Sequence, residues 1–412
     1  MPSRLRRAPL MSYRSSLGAV ALAALSLLAL PAFAAPSSDE PACLAPGQWA
    51  RVDGGTPQAI APTGLLTAMA QRDLVLLGEQ HDDIDHHRWQ LHTLAALHAQ
   101  RPHMVIGFEM FPRRAQPVLD RWVAGELTEA EFLEQSEWDK VWSMPAQLYL
   151  PLFHFARLNR IPMLALNVDA ALTRRIAEQG RAAVPESERE GVGQPAPATA
   201  DYLDFLRQVQ AHHALARGKD AKGKAADAAL RNFVDSQLNW DRAMAEALLD
   251  GRLRHAAPDG KLPLAVGIMG SGHVRFGYGV AHQLHDLGQY SIGQLLPVAA
   301  DVSCAALPPG LADAVFAVEG ARRAPPPPPR LGVALEEQSD GVRLSEIQAG
   351  SLAERSGLRV GDIVVEAAGR AARRAFDVVA AVREQPPGTW LPLVVLRDSV
   401  RVDVVVRFPP EK

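Results

Sequence analysis

At 412 residues, 48% of them apolar, the chain is long for one domain and comfortable for two, with apolar surface enough for a sizeable core. A formal charge of −3 gives no reason to expect a nucleic-acid partner. No segment beyond the first 34 residues approaches the roughly 18 uninterrupted apolar residues of a membrane span.

The N-terminus reads as an address. Arg4, Arg6, Arg7 and Arg14 precede a run of small and apolar residues over 17–30, and Ala32-Phe33-Ala34 fits a small-x-small cleavage site. Residues 1–34 are therefore expected to be a cleaved secretory signal, giving a periplasmic or secreted protein; an uncleaved membrane anchor is the duller alternative. Losing four arginines takes the formal charge from −3 to −7. Cys43 follows Glu40-Pro41-Ala42, which lacks a lipid-attachment context. With Cys304 it makes an even pair, so one disulfide is expected in an oxidising compartment. Residues 35–64 begin rich in Pro, Ala and Ser and read as a leader segment.

From 65 to 300 the pattern is α/β. Leu74-Val75-Leu76-Leu77 suits a strand buried on both faces, and Gly78-Glu79-Gln80-His81 breaks it before a helical pattern through His98. Further buried strands are expected at 104–108, 162–166 and 262–269, with helices between them. Strands alternating with helices predict a largely parallel sheet flanked by helices. Residues 186–229 change character and predict a helical insertion or lid, with KDAKGK at 219–224 as an exposed turn, before an amphipathic helix over 230–249. Residues 301–329, ending in five prolines, read as a polyproline linker. Beyond it, 330–409 carries short strands and one helix near 375–384, a small β-rich domain.

Three strand ends carry the chemistry. They supply Glu79 and His81, then Glu109, then Gly270-Ser271-Gly272-His273. Parallel strands bring such ends to one edge, where ligands bind in open α/β sheets. Glu79, His81, Glu109 and His273 are thus candidate ligands for Zn²⁺, Mn²⁺ or Fe²⁺, or the acids and bases of a metal-dependent hydrolase. Against this, a strand-end Glu often caps the next helix, and a His can be a satisfied core residue. Six of the thirteen histidines fall between 81 and 103; of these, His87 shares a helix face with Gln90 and points at the crevice. Gln237 and Asp241 share a face at i, i+4, and Tyr149, Trp138 and Trp142 offer aromatic surface nearby. No phosphate loop, Gly-x-Ser-x-Gly elbow or Cys-x-x-Cys-His is present.

Residues from about 70 to 300 resemble the ChaN family of haem-binding, iron-regulated bacterial proteins, related to the Tiki and erythromycin-esterase-like group. The resemblance rests on GEQHDDIDHHRWQ at 78–90, GFEMFPRRAQPVLDRW at 107–122, IPMLALN at 161–167, QLNWDRAMA at 237–245 and GSGHVRFGYG at 270–279. It implies an α/β fold with a helical addition, export, and a role in haem or iron acquisition. A haem needs an apolar crevice and an axial Tyr, His or Met. His87, Tyr149, Gln237 and Asp241 are the residues placed to touch it, within one chain or across a homodimer. The wider group includes metal-dependent proteases and hydrolases, with which the paired Gly-x-x-His stretches at 78–81 and 270–273 agree.

The C-terminal domain resembles a PDZ domain of the bacterial periplasmic protease type. Arg330-Leu331-Gly332-Val333 matches the carboxylate-binding loop, and 349–353 with 357–362 match the core signature. The resemblance implies that backbone N–H groups at Leu331, Gly332 and Val333 hold a partner's terminal carboxylate, and that its peptide adds as a strand.

Overall fold

The computed structural model describes residues 43–53, 56–142, 144–216, 224–319 and 329–410. The segment expected to be a secretory signal, most of the expected KDAKGK turn and most of the proline run lie outside these residues. The chain divides into two compact units at Arg322 and Arg323.

The first unit opens with β1 (Trp49–Arg51), β2 (Gln58–Ile60) and α1 (Pro62–Ala70), then β3 (Leu74–Glu79) and α2 (Ile84–Gln100). There follow β4 (Met104–Pro112), α3 (Gln116–Ala124), α4 (Glu129–Gln135), α5 (Trp138–Val141), α6 (Leu150–Leu158), β5 (Met163–Asn167) and α7 (Ala170–Gln179). It closes with α8 (Ala200–Ala216), α9 (Lys224–Arg254), β6 (Leu264–Gly270), α10 (Val280–Asp286), β7 (Ile292–Ala299) and β8 (Ala314–Val318). The eight strands lie in the order β2-β1-β8-β7-β3-β6-β4-β5. All from β3 to β8 pair in parallel, and β1 and β2 are antiparallel at one edge.

The apolar run 74–77 explains the middle of this sheet. Flanked by β6 and β7, β3 has no polar face, and all four residues are fully buried. Alternation sends Val75 and Leu77 to the layer built with α1, α2, α3 and α6. Leu74 and Leu76 go to the other layer, against α9 and α10.

Two expectations are corrected. Residues 35–64 are not a leader throughout: β1 and β2 come from them and extend the sheet, because Trp49 and Ala50 are apolar enough to be buried there. The sheet also does not end by 300, since Ala314–Val318, from the expected linker, forms β8 between β7 and β1. Cys43 is bonded to Cys304, closing the chain across 261 residues.

The second unit contains β9 (Val333–Gln338), β10 (Gly341–Ile347), α11 (Leu352–Arg355), β11 (Ile363–Ala367), β12 (Arg370–Ala371), α12 (Ala375–Arg383), β13 (Trp390–Arg397) and β14 (Val400–Arg407). Its antiparallel sheet runs β14-β13-β11-β10-β9, with β12 beside β11. Buried Asp362 pins it, holding Arg397 through both oxygens at 2.8 and 2.7 Å.

A disulfide closing so long a loop contributes about 3 kcal/mol or more by restricting the unfolded chain. Replacing Cys43 and Cys304 by Ser should therefore lower Tm by roughly 6–12 °C for a unit of this size. An unchanged melting curve would show that the crosslink carries no stability.

Candidate functional site

Register places the site. β3 and β6 are aligned so that Glu79 lies beside Gly270, and β4 runs on the other side of β6 with Phe108 beside Ile268. The carboxyl ends of three parallel strands therefore deliver Glu79, Glu109 and the 270–273 turn to one edge, as their spacing predicted.

Glu79, 2% exposed, has its carboxylate saturated. Oε1 accepts from His81 Nδ1 at 2.7 Å and from the Tyr149 hydroxyl at 2.8 Å; Oε2 accepts from Gln90 Nε2 at 2.9 Å. His87 Nδ1 stands 3.4 Å from Oε2. Burial pushes the Glu79 carboxyl up, but attraction to His87 and the hydrogen bonds of His81 and Tyr149 outweigh it and hold the group at about 2. For His81 burial pulls down, while the bond to Glu79 and the charges of Glu109, Glu79 and Asp82 raise it to about 9. The pair is ionic at neutral pH. Trp142 sets its ring edge against His81, 4.8 Å between centroids.

A second arrangement faces the first. From α9, fully buried Asp241 takes His273 Nδ1 at 2.7 Å on Oδ1 and the Tyr202 hydroxyl at 2.6 Å on Oδ2. Burial lowers the His273 pKa, the charge and hydrogen bond of Asp241 and the charge of Glu109 raise it, and the net shift is upward. Both phenols are pushed well above their ordinary value, by burial first and then by the carboxylate each one serves, so they remain neutral donors. Each half is a tyrosine, a carboxylate and a histidine in sequence.

Glu109 lies between the halves. Its Oε2 accepts from the Gly270 amide at 2.6 Å, and its Oε1 stands 3.7 Å from His273 Nε2. Those last two atoms are buried without a hydrogen-bond partner. Gly270 is required here: a Cβ would sit 3.1 Å from His81 Nε2 and 3.7 Å from Glu109 Oε2. Chemically the cluster can hold and pass a proton among His81, Glu109 and His273, with each imidazole oriented from behind.

The sequence expectations divide accordingly. Glu79, His81, Glu109, His273 and Asp241 are brought together. The metal expectation finds no support: among the described residues no group of three or more His, Cys, Asp or Glu is arranged to hold an ion. Both Nδ1 atoms are committed to carboxylates, and Glu79 has four neighbours on two oxygens. Tyr149 is fully buried with its hydroxyl given away, and Asp241 has both oxygens occupied; neither offers an atom to a cofactor. His87, 2% exposed, has Nε2 3.2 Å from the His81 carbonyl and serves the cluster from behind. Gln237 is 5% exposed and hydrogen-bonds to neither half. Sequence reasoning missed Tyr202, which sits on α8 inside the insertion, far from any strand end.

In the second unit, Leu331 and Gly332 precede β9, which occupies an edge of the sheet with α12 packed beside it. Neither residue's N–H has a partner, while their carbonyls accept from Ala353 and Gln348 at 3.0 and 2.9 Å. The carbonyls are thus held and the donors left free. Gly332 has φ +77°, and a Cβ there would lie 2.5 Å from Ser351 Cβ. Val333 begins β9 opposite Ile347.

Residues 65–284, more than half the chain, match the family model described as haem-binding uptake, Tiki superfamily, ChaN. The chain belongs to the ChaN family. Residues 329–407 match the PDZ domain. The ChaN fold is shared with a structure of Campylobacter jejuni ChaN described as cofacial haem binding, at 18% identity and TM-score 0.51, over 66% of this chain and 98% of that one. The PDZ unit is similar in sequence to part of the serine endoprotease of Yersinia pestis, at 22% identity over 20% of this chain and 29% of that one, TM-score 0.18. It is likewise similar to the HtrA3 PDZ domain bound to a phage-derived ligand, at 23% identity over 19% and 82%, TM-score 0.18. A search of curated proteins finds no match.

The ionic pair fixes a pH dependence for this ChaN unit. His81, raised from 6.5 to about 9, contributes stability fully below pH 6.5 and loses it as pH rises through 9. Glu79, depressed from 4.5 to about 2, contributes above pH 4.5 and loses it as pH falls through 2. Tm should thus decline between pH 6.5 and 9, and His81→Gln should flatten that decline; an identical slope in the variant would refute the assignment. Asp241→Ala, which strands buried His273, should cost about 3–5 kcal/mol in denaturant unfolding.

Proposed function

We propose that this protein is an exported haem-handling protein of iron acquisition, whose PDZ unit docks the C-terminus of a partner. The family match over 65–284 carries the reading. The Cys43–Cys304 disulfide supports an oxidising compartment.

The residues present fit a haem, though not at the acid–histidine cluster. Of the five tyrosines, Tyr149 and Tyr202 are buried donors, and Tyr290 is 75% exposed. Tyr278 is half-buried, and among the described residues its hydroxyl has no hydrogen-bond partner. It lies at 5.0 Å from Phe276, 5.8 Å from Tyr202 and 6.5 Å from Phe205, ring centre to ring centre, with Phe233 in the same apolar group. An unengaged phenol in an aromatic surround is the donor set for an axial ligand and two porphyrin faces. The bound group would supply the iron; the chain would supply Tyr278 as ligand and the phenyl rings as packing. Behind it, Tyr202 carries the contact back to Asp241 and His273. The Campylobacter jejuni relative is described as binding haem cofacially, and a homodimer of this chain that shares its haems is part of the proposal.

In the PDZ unit, the free N–H groups of Leu331 and Gly332 would take a terminal carboxylate, and the open edge of β9 the strand that follows it.

Haem added to the purified protein should give a shifted Soret band that Tyr278→Phe weakens at least about tenfold in affinity and Tyr290→Phe leaves alone. Equal spectra and affinities for parent and Tyr278→Phe would overturn the ligand assignment. A fluorescent peptide ending in an apolar residue should lose about tenfold or more in affinity when its C-terminus is amidated. Equal binding of the two peptides would remove the PDZ half of the proposal.

A further inference from the structure

The first unit has a second concavity, a cleft of about 770 Å³ away from the acid–histidine cluster. It forms where the N-terminal strands and α1 fold across the β7–β8 end of the sheet. Its apolar wall is Ile60, Leu65, Met69 and Phe276, with Arg72 and Gln294 as polar residues and Gly64 at the α1 side.

Three observations mark it as a ligand site. Arg72 is half-buried, and its guanidinium has no hydrogen-bond or ion-pair partner, whereas neighbouring Arg101 and Arg252 are both engaged. The Gln294 carbonyl Oε1 is buried and lacks any donor, while the backbone N–H of the same residue is satisfied by Asp313 at 2.7 Å. Phe276 holds φ +55°, a conformation that bulky side chains rarely adopt, and its N–H is tied to the Leu311 carbonyl at 2.9 Å. Among the described residues the cleft thus combines an aromatic ring and an apolar wall with a cation that has no partner and an acceptor that has no donor.

We infer that this cleft binds an apolar small molecule bearing an acid group and an N–H or O–H donor, the chemistry of an amidated or hydroxylated fatty or aromatic acid. The acid group meets Arg72, the donor meets Gln294 Oε1, and the apolar body lies against Met69 and Phe276. Asp53 and Asp313 also line the cleft. Arg51 lies 3.8 Å from Asp53 and Asp313 accepts from the Gln294 amide, whereas among the described residues the Arg72 guanidinium has neither an ion pair nor a hydrogen bond. The site is separate from the haem reading, although Phe276 also stacks on Tyr278.

Gly64 supplies a clean test. A Cβ there would meet nothing within 4 Å, so Gly64→Phe places an aromatic side chain at the cleft wall and replaces a helical glycine by a better helix former. The probe is 8-anilinonaphthalene-1-sulfonate, which combines an anion, an N–H and aromatic rings, titrated into the full chain with fluorescence detection. One saturable site is expected, displaced by N-octanoylglycine and not by octylamine. Arg72→Gln should weaken it about tenfold, and Gly64→Phe should abolish it with Tm unchanged or raised. Parent-like probe binding in both variants, or equal displacement by octylamine, would overturn the inference. Haem titration of Gly64→Phe separates the two readings: intact haem binding with lost probe binding supports a second site, and joint loss refutes its separateness.

Discussion

A buried carboxylate that water cannot reach governs this molecule. Glu109 is fully buried at the end of β4, and one of its oxygens is held by the Gly270 amide of a neighbouring strand end. A carboxylate in such a place is tolerable only if cations and donors are arranged around it. The arrangement is provided twice over, by His81 on one side and His273 on the other, each anchored from behind by its own acid. Because those acids are also buried, each recruits a phenol, and the demand spreads outward to α6 and α8. The register of β3 against β6 follows the same need, since a slip of one residue would move Glu79 from its place beside Gly270.

That chain of compensation gives the helical insertion its place. Tyr202 on α8 satisfies Asp241 on α9, so the insertion is joined to the sheet by a 2.6 Å hydrogen bond in the interior and is more than a flap over the surface. It also brings Phe205 beside Tyr278, building the aromatic surface on which the haem proposal rests. The polar cluster is sealed by the same side chains that make the ligand surface apolar. The same sealing explains why Tyr149 and Asp241, expected as cofactor contacts, are supports of the cluster.

The C-terminal unit works by a different economy. It buries little charge beyond Asp362 and leaves both an edge strand and two backbone donors without partners. Unsatisfied donors at a surface are tolerable because water serves them until a peptide does. Gly332 adopts φ +77°, which a glycine takes without strain and a side chain would not.

The sequence by itself determined the central strands, because a four-residue apolar run bounded by turn residues suits a strand buried on both faces. It also determined that Glu79, Glu109 and His273 share one edge, since parallel strands end on the same side, and that the last eighty or so residues are a separate β-rich domain. Tertiary structure alone decided which atoms remain free. Hydrogen-bond saturation depends on partners distant in the chain, such as Tyr149 for Glu79 and Tyr202 for Asp241, and neither pairing leaves a local pattern. The same holds for β1, β2 and β8: three- to five-residue strands have too little periodicity to be read locally, and only pairing with the sheet makes them strands.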